Sequence, residues 1–239
     1  FGRFDEKTQA GVRATLSQIL SPFSHPALID AFCTPQIQPV LFESLLEGKI
    51  ILVDLPVSIW GLGAKTAYTL IKLRFFNLMQ IRNTRSDLNQ DRHVFFMCDE
   101  YQEIISASKT GLSDLNFWDK ARSSKTVGII SAQAVSSFYA VLPSRDLADA
   151  IIQNFRQKIC FRTEDRNTID LFNRLLGNVE VTRLAYSKNQ GSSSSTSGFL
   201  SDGNASSSTQ QSTGSSVSIH DKPLLDGQFF RQLAKGEVL

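Results

Sequence analysis

Histidine and cysteine are scarce in this chain of 239 residues, three of each, and neither kind clusters. His25, His93 and His220 stand alone, so the sequence offers no histidine-based metal site. Cys33, Cys98 and Cys160 are far apart, and two of them lie in apolar runs. That usage reads as reduced, buried thiols in a reducing compartment rather than a disulfide framework. No apolar run reaches the roughly 18–20 residues that cross a bilayer, and no signal-peptide pattern is visible. Charge of one sign is missing too. A net charge of +2 carries no general nucleic-acid signature, so any DNA contact must come from local patches. The first residue is Phe1 rather than Met, which is read as a fragment of a longer or processed chain. What remains is ordinary globular composition, long enough for one α/β domain or two small ones.

Residues 1–48 read as a helical segment, broken by Pro22, Pro26 and Pro35. Lys49–Leu55 is a continuous β-type apolar run of the kind covered on both faces in parallel sheets. A long helix follows over Ala64–Ile81, basic at Lys72, Arg74 and Arg82, and a polar loop over Asn83–Arg92. Further strands are expected at Val94–Cys98, Thr126–Gln133, Lys158–Arg162 and Val179–Tyr186, with helices between them. The alternation predicts an α/β fold over residues 49–186, with a mostly parallel open sheet flanked by helices. Residues 187–219 collapse into Ser, Thr, Gly, Gln and Asn and read as a flexible insert. The sequon Asn204-Ala205-Ser206 within it is of a kind that serine tracts produce by chance. Residues 220–239 read as a short C-terminal helix docking on the core, with Phe229, Phe230 and Leu233 at helical spacing.

The chemistry concentrates at Asp99-Glu100, two carboxylates delivered at the end of the apolar strand Val94–Cys98. This has the shape of a Walker B motif: one carboxylate holds Mg²⁺ through water and the next polarises an attacking water. Strand alternation is expected to turn the two to different sides. The bland alternative is a solvated strand end. Gln133, at the end of the next apolar strand, adds an amide that can donate to a γ-phosphate and accept from a water. Arg122, in Lys120–Lys125, is a candidate arginine finger for a neighbouring subunit, against the plainer reading of a basic helix end. Arg162 is a weaker candidate for the same role.

One motif is an imitation. Gly61-Leu62-Gly63-Ala64-Lys65-Thr66 resembles a phosphate loop, yet Ala64 stands where glycine must precede the lysine and Ile59 stands at the first glycine. The chain carries a hydrolysis motif without a phosphate cradle.

Val94–Gln102, Phe117–Ser123, Gly128–Gln133 and Asn154–Asp165 occur in an order that resembles type IV secretion coupling proteins. These are the TraD/TraG-like conjugative ATPases, related to the FtsK/HerA DNA pumps. The resemblance spans about residues 16–186, weakly the tail near 223–239, and is strongest from Val94 to Asp165. It implies the C-terminal part of a RecA-like P-loop NTPase domain that lacks its Walker A half. It further implies ATP and Mg²⁺ as cofactors and a homo-hexamer at the cytoplasmic face of the bacterial inner membrane. Membrane contact would come only through an absent upstream segment. The motor would deliver single-stranded DNA with its relaxase to a secretion channel. Carried over, Asp99 would hold Mg²⁺ through water, Glu100 would activate water, Gln133 would sense the γ-phosphate, and Arg122 would act in trans.

Two alternatives stand beside the motor. One is a non-catalytic recognition module whose basic helix (Lys72, Arg74, Arg82) docks an accessory protein of the relaxosome. The other is a chromosomal pump of the FtsK/HerA type.

Overall fold

A computed structural model describes residues 5–34, 40–193 and 208–239, and the chain divides into two units, Phe1–Ile159 and Cys160–Leu239. In the first unit, helices α1 (Glu6–Leu20) and α2 (Pro26–Phe32) precede a 3₁₀ turn at Phe42–Glu47. Asp5 caps α1 by accepting from Thr8 N at 3.3 Å, and Pro26 opens α2, so both helices begin as their sequences dictate.

The spine of this unit is α3 (Val57–Arg82). It kinks at Gly61, whose φ of 49° and ψ of −123° suit glycine and strain any other residue. Beyond the kink, Gly63 and Ala64 are buried, and a Cβ on Gly63 would meet Leu28 and Pro22. The phosphate-loop imitation is therefore a helix kink followed by a close packing step.

Phe75 and Phe76 of α3 pack on Phe96 of β1 (Val94–Cys98) and on Phe117 and Trp118 of α4 (Asp114–Trp118). The rings of Phe76 and Phe117 stack with centroids 3.8 Å apart and planes 9° off parallel. Strand β2 (Thr126–Ile130) pairs with β1 in parallel, from Val94↔Thr126 to Cys98↔Ile130. Helices α5 (Val135–Val141) and α6 (Arg145–Asn154) complete the unit.

Gly128 lets β2 approach this aromatic core. A Cβ there would lie 2.7 Å from the Trp118 ring and 2.8 Å from Phe155. Trp118 cannot swing aside, because its Nε1 donates to Tyr101 Oη (3.0 Å) and Asp114 Oδ1 (3.2 Å). Gly128→Ala should lower stability by about 1–3 kcal/mol, the usual penalty of overpacking, measured by urea unfolding of the 239-residue chain.

The sheet departs from expectation. Among the described residues the parallel sheet has two strands. Lys49–Leu55 forms neither helix nor strand, and Ile50 and Leu52 are 93% and 87% exposed rather than covered on both faces. Lys158–Arg162 is also not a strand; Cys160 exchanges two backbone hydrogen bonds of 2.9 Å with Leu239 instead. An apolar, β-branched run signals extended backbone, but the neighbour that would make it a strand is not written in it. The same limit shows on the sheet itself: α3 and α4 cover one face, while Phe95, Met97, Val127 and Ile129 on the other are exposed.

The second unit has its own core. Helix α7 (Arg166–Leu176) and helix α8 (Gly227–Gln232) bring Ile169, Phe172, Phe230 and Cys160 together. Between them β3 (Asn178–Ser193) and β4 (Ser208–Pro223) form an antiparallel hairpin in register from Asn178↔Pro223 to Ser193↔Ser208. Val179–Tyr186 thus pairs with a serine-rich strand, not with the parallel sheet. Low apolar content argues against a core, but ladder hydrogen bonds come from the backbone and do not require one. The sequon at Asn204 lies outside the described residues.

Two of the three basic residues singled out on α3 are not at its surface. Lys72 and Arg82 are 1% and 0% exposed, and Arg74 pairs with Glu43 at 3.3 Å. Arg82 donates to the carbonyls of Asn89 (2.6 Å), Arg92 (2.6 Å) and Ser124 (3.0 Å), closing the 83–92 loop against the start of β2. The accessory-docking role first read for Lys72 and Arg82 is therefore corrected, while Arg74 stays at the surface, where a docking contact needs it. Lys72 lies three, four and seven residues from Phe75, Phe76 and Met79, and Arg82 lies three, four and seven from Met79, Leu78 and Phe75, which puts both on the apolar face of α3.

Candidate functional site

Strands β1 and β2 run parallel and side by side, so their C-terminal ends open on the same edge. Asp99 follows β1 on that edge, and Ser131 and Gln133 follow β2. The pairing continues past the strands: Ser131 N donates to Cys98 O at 3.0 Å, and Tyr101 N donates to Ser131 O at 2.9 Å.

Side chains close the cluster. The Ser131 hydroxyl donates to Asp99 Oδ1, which also accepts from Glu100 N at 2.9 Å. Gln133 Nε2 donates to Glu100 Oε1 at 3.2 Å, and Gln102 Nε2 donates to Glu100 Oε2. Both oxygens of Glu100 are thus held by amides. The carbonyl oxygen of the buried Gln102 amide has no hydrogen-bond partner among the described residues.

The two carboxylates are not separated by the pleat, because the strand ends at Cys98. Glu100 instead takes a left-handed backbone, φ 50° and ψ 46°. For a residue with a Cβ this conformation costs about 1–2 kcal/mol, and such residues concentrate at functional sites. The neighbouring Cys98 thiol is pushed up to about 11, chiefly by burial, and stays protonated at neutral pH.

A buried polar network lies beneath. Tyr101 opens a 3₁₀ turn (Tyr101–Glu103) and is fully buried. Its hydroxyl donates to Asp114 Oδ1, as does Trp118 Nε1. Asp114 Oδ2 accepts from Lys72 Nζ, from Ser106 N (2.7 Å) and from Ser106 Oγ (2.8 Å). Lys72 also donates to Ile104 O. Burial lowers the Lys72 pKa against the opposing pull of the Asp114 charge, and burial with that charge raises the Tyr101 phenol well above its ordinary value. At the far end of the turn, Lys65 forms an ion pair with Glu103.

Of the residues singled out from the sequence, Asp99, Glu100 and Gln133 meet, and Arg122 does not join them. Arg122 is exposed in the turn that leads into the N-terminal end of β2, the opposite end of a strand of about 16 Å. Arg162 belongs to the second unit. Ser131, Gln102 and the Lys72–Asp114–Tyr101 network were missed. Ser131 carried one usable signal, a hydroxyl at the end of the strand that delivers Gln133.

The donor set is made of oxygen and amide groups, which suits a hard cation. Among the described residues no three His, Cys, Asp or Glu side chains gather as a metal-ligand group. One or two carboxylates fit Mg²⁺ as it is held beside phosphates, where it keeps several waters; they do not make a free-standing metal site.

Comparison with known families decides the kinship. Residues 93–235, more than half of the chain, match the family described as the TraM recognition site of TraD and TraG. The chain belongs to that family. The matched segment begins just before β1, contains Asp99, Glu100, Ser131 and Gln133, and runs through the hairpin to α8. It therefore includes the serine-rich stretch that the sequence resemblance had set aside. No curated protein matches the chain. The chain is thus of the TraD/TraG C-terminal type. Among the described residues no helix is long and apolar enough to cross a membrane.

Proposed function

We propose that this chain is the part of a conjugative coupling protein that carries the acidic half of an ATP site. The observation that supports it is the meeting of Asp99, Glu100 and Gln133 on one edge of adjacent parallel strands. In open α/β sheets that edge is where ligands bind. Glu100 orients a water for in-line attack, Gln133 holds Glu100 and offers its amide to the γ-phosphate, and Asp99 accepts from metal-bound water. Mg²⁺, when bound, neutralises charge on the triphosphate. Other polypeptide supplies the phosphate cradle, since Gly61–Thr66 is a kink leading into packed helix and lacks the glycine before Lys65. The uncovered apolar face of the sheet suits a unit completed by further chain, because parallel sheets are normally buried on both faces.

In this reading the complete protein is a RecA-like hexamer at the cytoplasmic face of the inner membrane. It moves single-stranded DNA and its relaxase to a secretion channel. Arg122, far from its own chain's cluster, is left to serve a neighbour's nucleotide.

The matched family favours a second reading that is compatible with the first: recognition of a relaxosome accessory protein of the TraM kind. The two are separated by one pair of assays on the complete coupling protein. Asp99→Asn should abolish Mg²⁺-dependent ATP hydrolysis and leave accessory-protein binding, measured by calorimetry, unchanged. Hydrolysis that survives Asp99→Asn would remove the ATP-site reading and leave recognition alone.

A further inference from the structure

Glu100 holds an unfavourable backbone conformation at the point where β1 ends. Such a conformation persists only where its surroundings over-determine it, and what determines it here lies on the far side of the turn. Tyr101, the next residue, is anchored at both ends. Its N–H is tied to Ser131 O on β2, and its hydroxyl is tied to Asp114 on α4. Asp114, fully buried, collects donors from three separate segments: Lys72 on α3, Ser106 after the turn and Trp118 on α4. Lys72 spans two of them again through Ile104 O. The backbone entering and leaving Glu100 is thus fixed by groups that cannot touch the site's ligands.

We propose that Tyr101, Asp114, Lys72 and Ser106 are positioning residues for Glu100, fixing the left-handed turn that aims its carboxylate. This rests on the reading of Glu100 as the water-orienting group. The network sets turnover more than nucleotide affinity, because it aims the water-aligning carboxylate, while Asp99 keeps the Ser131 hydroxyl in addition to the Glu100 N–H. It also explains a charged pair in an apolar core. Buried ion pairs contribute little net stability but can impose one geometry.

The test is steady-state ATP hydrolysis by the complete coupling protein, wild type and four variants. Glu100→Gln checks the underlying reading. Tyr101→Phe removes the hydroxyl bonded to Asp114 and keeps the ring. Ser106→Ala removes a hydroxyl donor to Asp114 and serves should Tyr101→Phe not fold. Leu78→Val loosens the core at a fully buried residue outside the network. Misplacement of a reacting group by about 1 Å costs up to about 10²-fold, and loss of a supporting hydrogen bond about 10–100-fold.

The expected result is that Tyr101→Phe lowers kcat by about tenfold or more with KM within about twofold of wild type. Ser106→Ala should do the same to a smaller extent, and Leu78→Val should leave kcat near wild type at a comparable loss of Tm. Wild-type kcat in Tyr101→Phe and Ser106→Ala, alongside an inactive Glu100→Gln, would overturn the positioning role and leave the ATP-site reading standing. Equal kcat losses in Leu78→Val and Tyr101→Phe at matched Tm would also overturn it, since stability alone would then account for the effect. An active Glu100→Gln would remove the reading on which the proposal rests.

Discussion

Replacing Glu100 by Gln in the complete coupling protein should lower ATP hydrolysis by about 10²–10³-fold while ATP binding persists. The magnitude is that of losing one preorganised group in a reaction where the protein supplies mainly position and charge. Glutamine keeps the shape of the side chain and the backbone conformation at φ 50°. It replaces one of two carboxylate oxygens, and with it one of the acceptors now met by Gln102 and Gln133. Retained binding follows because Asp99, held separately by Ser131 and the Glu100 amide, is untouched. Nucleotide affinity from fluorescence titration, paired with single-turnover hydrolysis, checks both halves. The left-handed conformation adds a second signature. Glu100→Gly should be equally inactive yet lose little stability, since glycine regains about 1–2 kcal/mol of backbone strain to set against the lost side-chain bonds.

The second large effect concerns Asp114. Asp114→Ala should destabilise the first unit by about 3–5 kcal/mol, because it leaves the Lys72 ammonium buried with no counter-charge. Tyr101, Trp118 and Ser106 lose their common acceptor in the same step. Lys72→Met should cost clearly less. The carboxylate it leaves behind is still bonded by the Tyr101 hydroxyl, the Trp118 indole and two Ser106 donors. The asymmetry is the informative quantity, and urea unfolding of the 239-residue chain and the two variants measures it. Equal losses would mean that the ion pair alone matters and that the surrounding donors contribute nothing.

The site was more legible in the sequence than the sheet around it. Asp99, Glu100 and Gln133 sit at the ends of short apolar runs, and a parallel neighbour relation is enough to bring them to one edge. The paired strands Val94–Cys98 and Thr126–Ile130 fall where the apolar runs placed them. By contrast, Lys49–Leu55 and Lys158–Arg162 read as strands because their composition is apolar and β-branched, yet composition does not name a partner edge. Val179–Tyr186 is a strand as read, but in an antiparallel hairpin rather than the parallel sheet. Its partner, Ser215–Lys222, mixes serines with Val217, Ile219 and charged residues, a pattern that hydrophobic periodicity does not mark as a strand. Two of the three basic residues singled out on α3 were misread for a third reason. Charge suggests solvent, but Lys72 and Arg82 lie on the apolar stripe of the helix, and helical spacing alone would have put them in the core. Lys65, the lysine of the phosphate-loop imitation, differs from them: it is partly exposed and pairs with Glu103.

The most direct measurement is a structure of the complete coupling protein with Mg²⁺ and a non-hydrolysable ATP analogue. The metal should lie about 4 Å from the Asp99 carboxylate, the spacing that one coordinated water imposes. The γ-phosphate should then be within hydrogen-bond reach of the Gln133 amide, with Glu100 facing the in-line water. A nucleotide bound at any other edge of the sheet, with Asp99, Glu100 and Gln133 still bonded only to one another, would contradict the assignment.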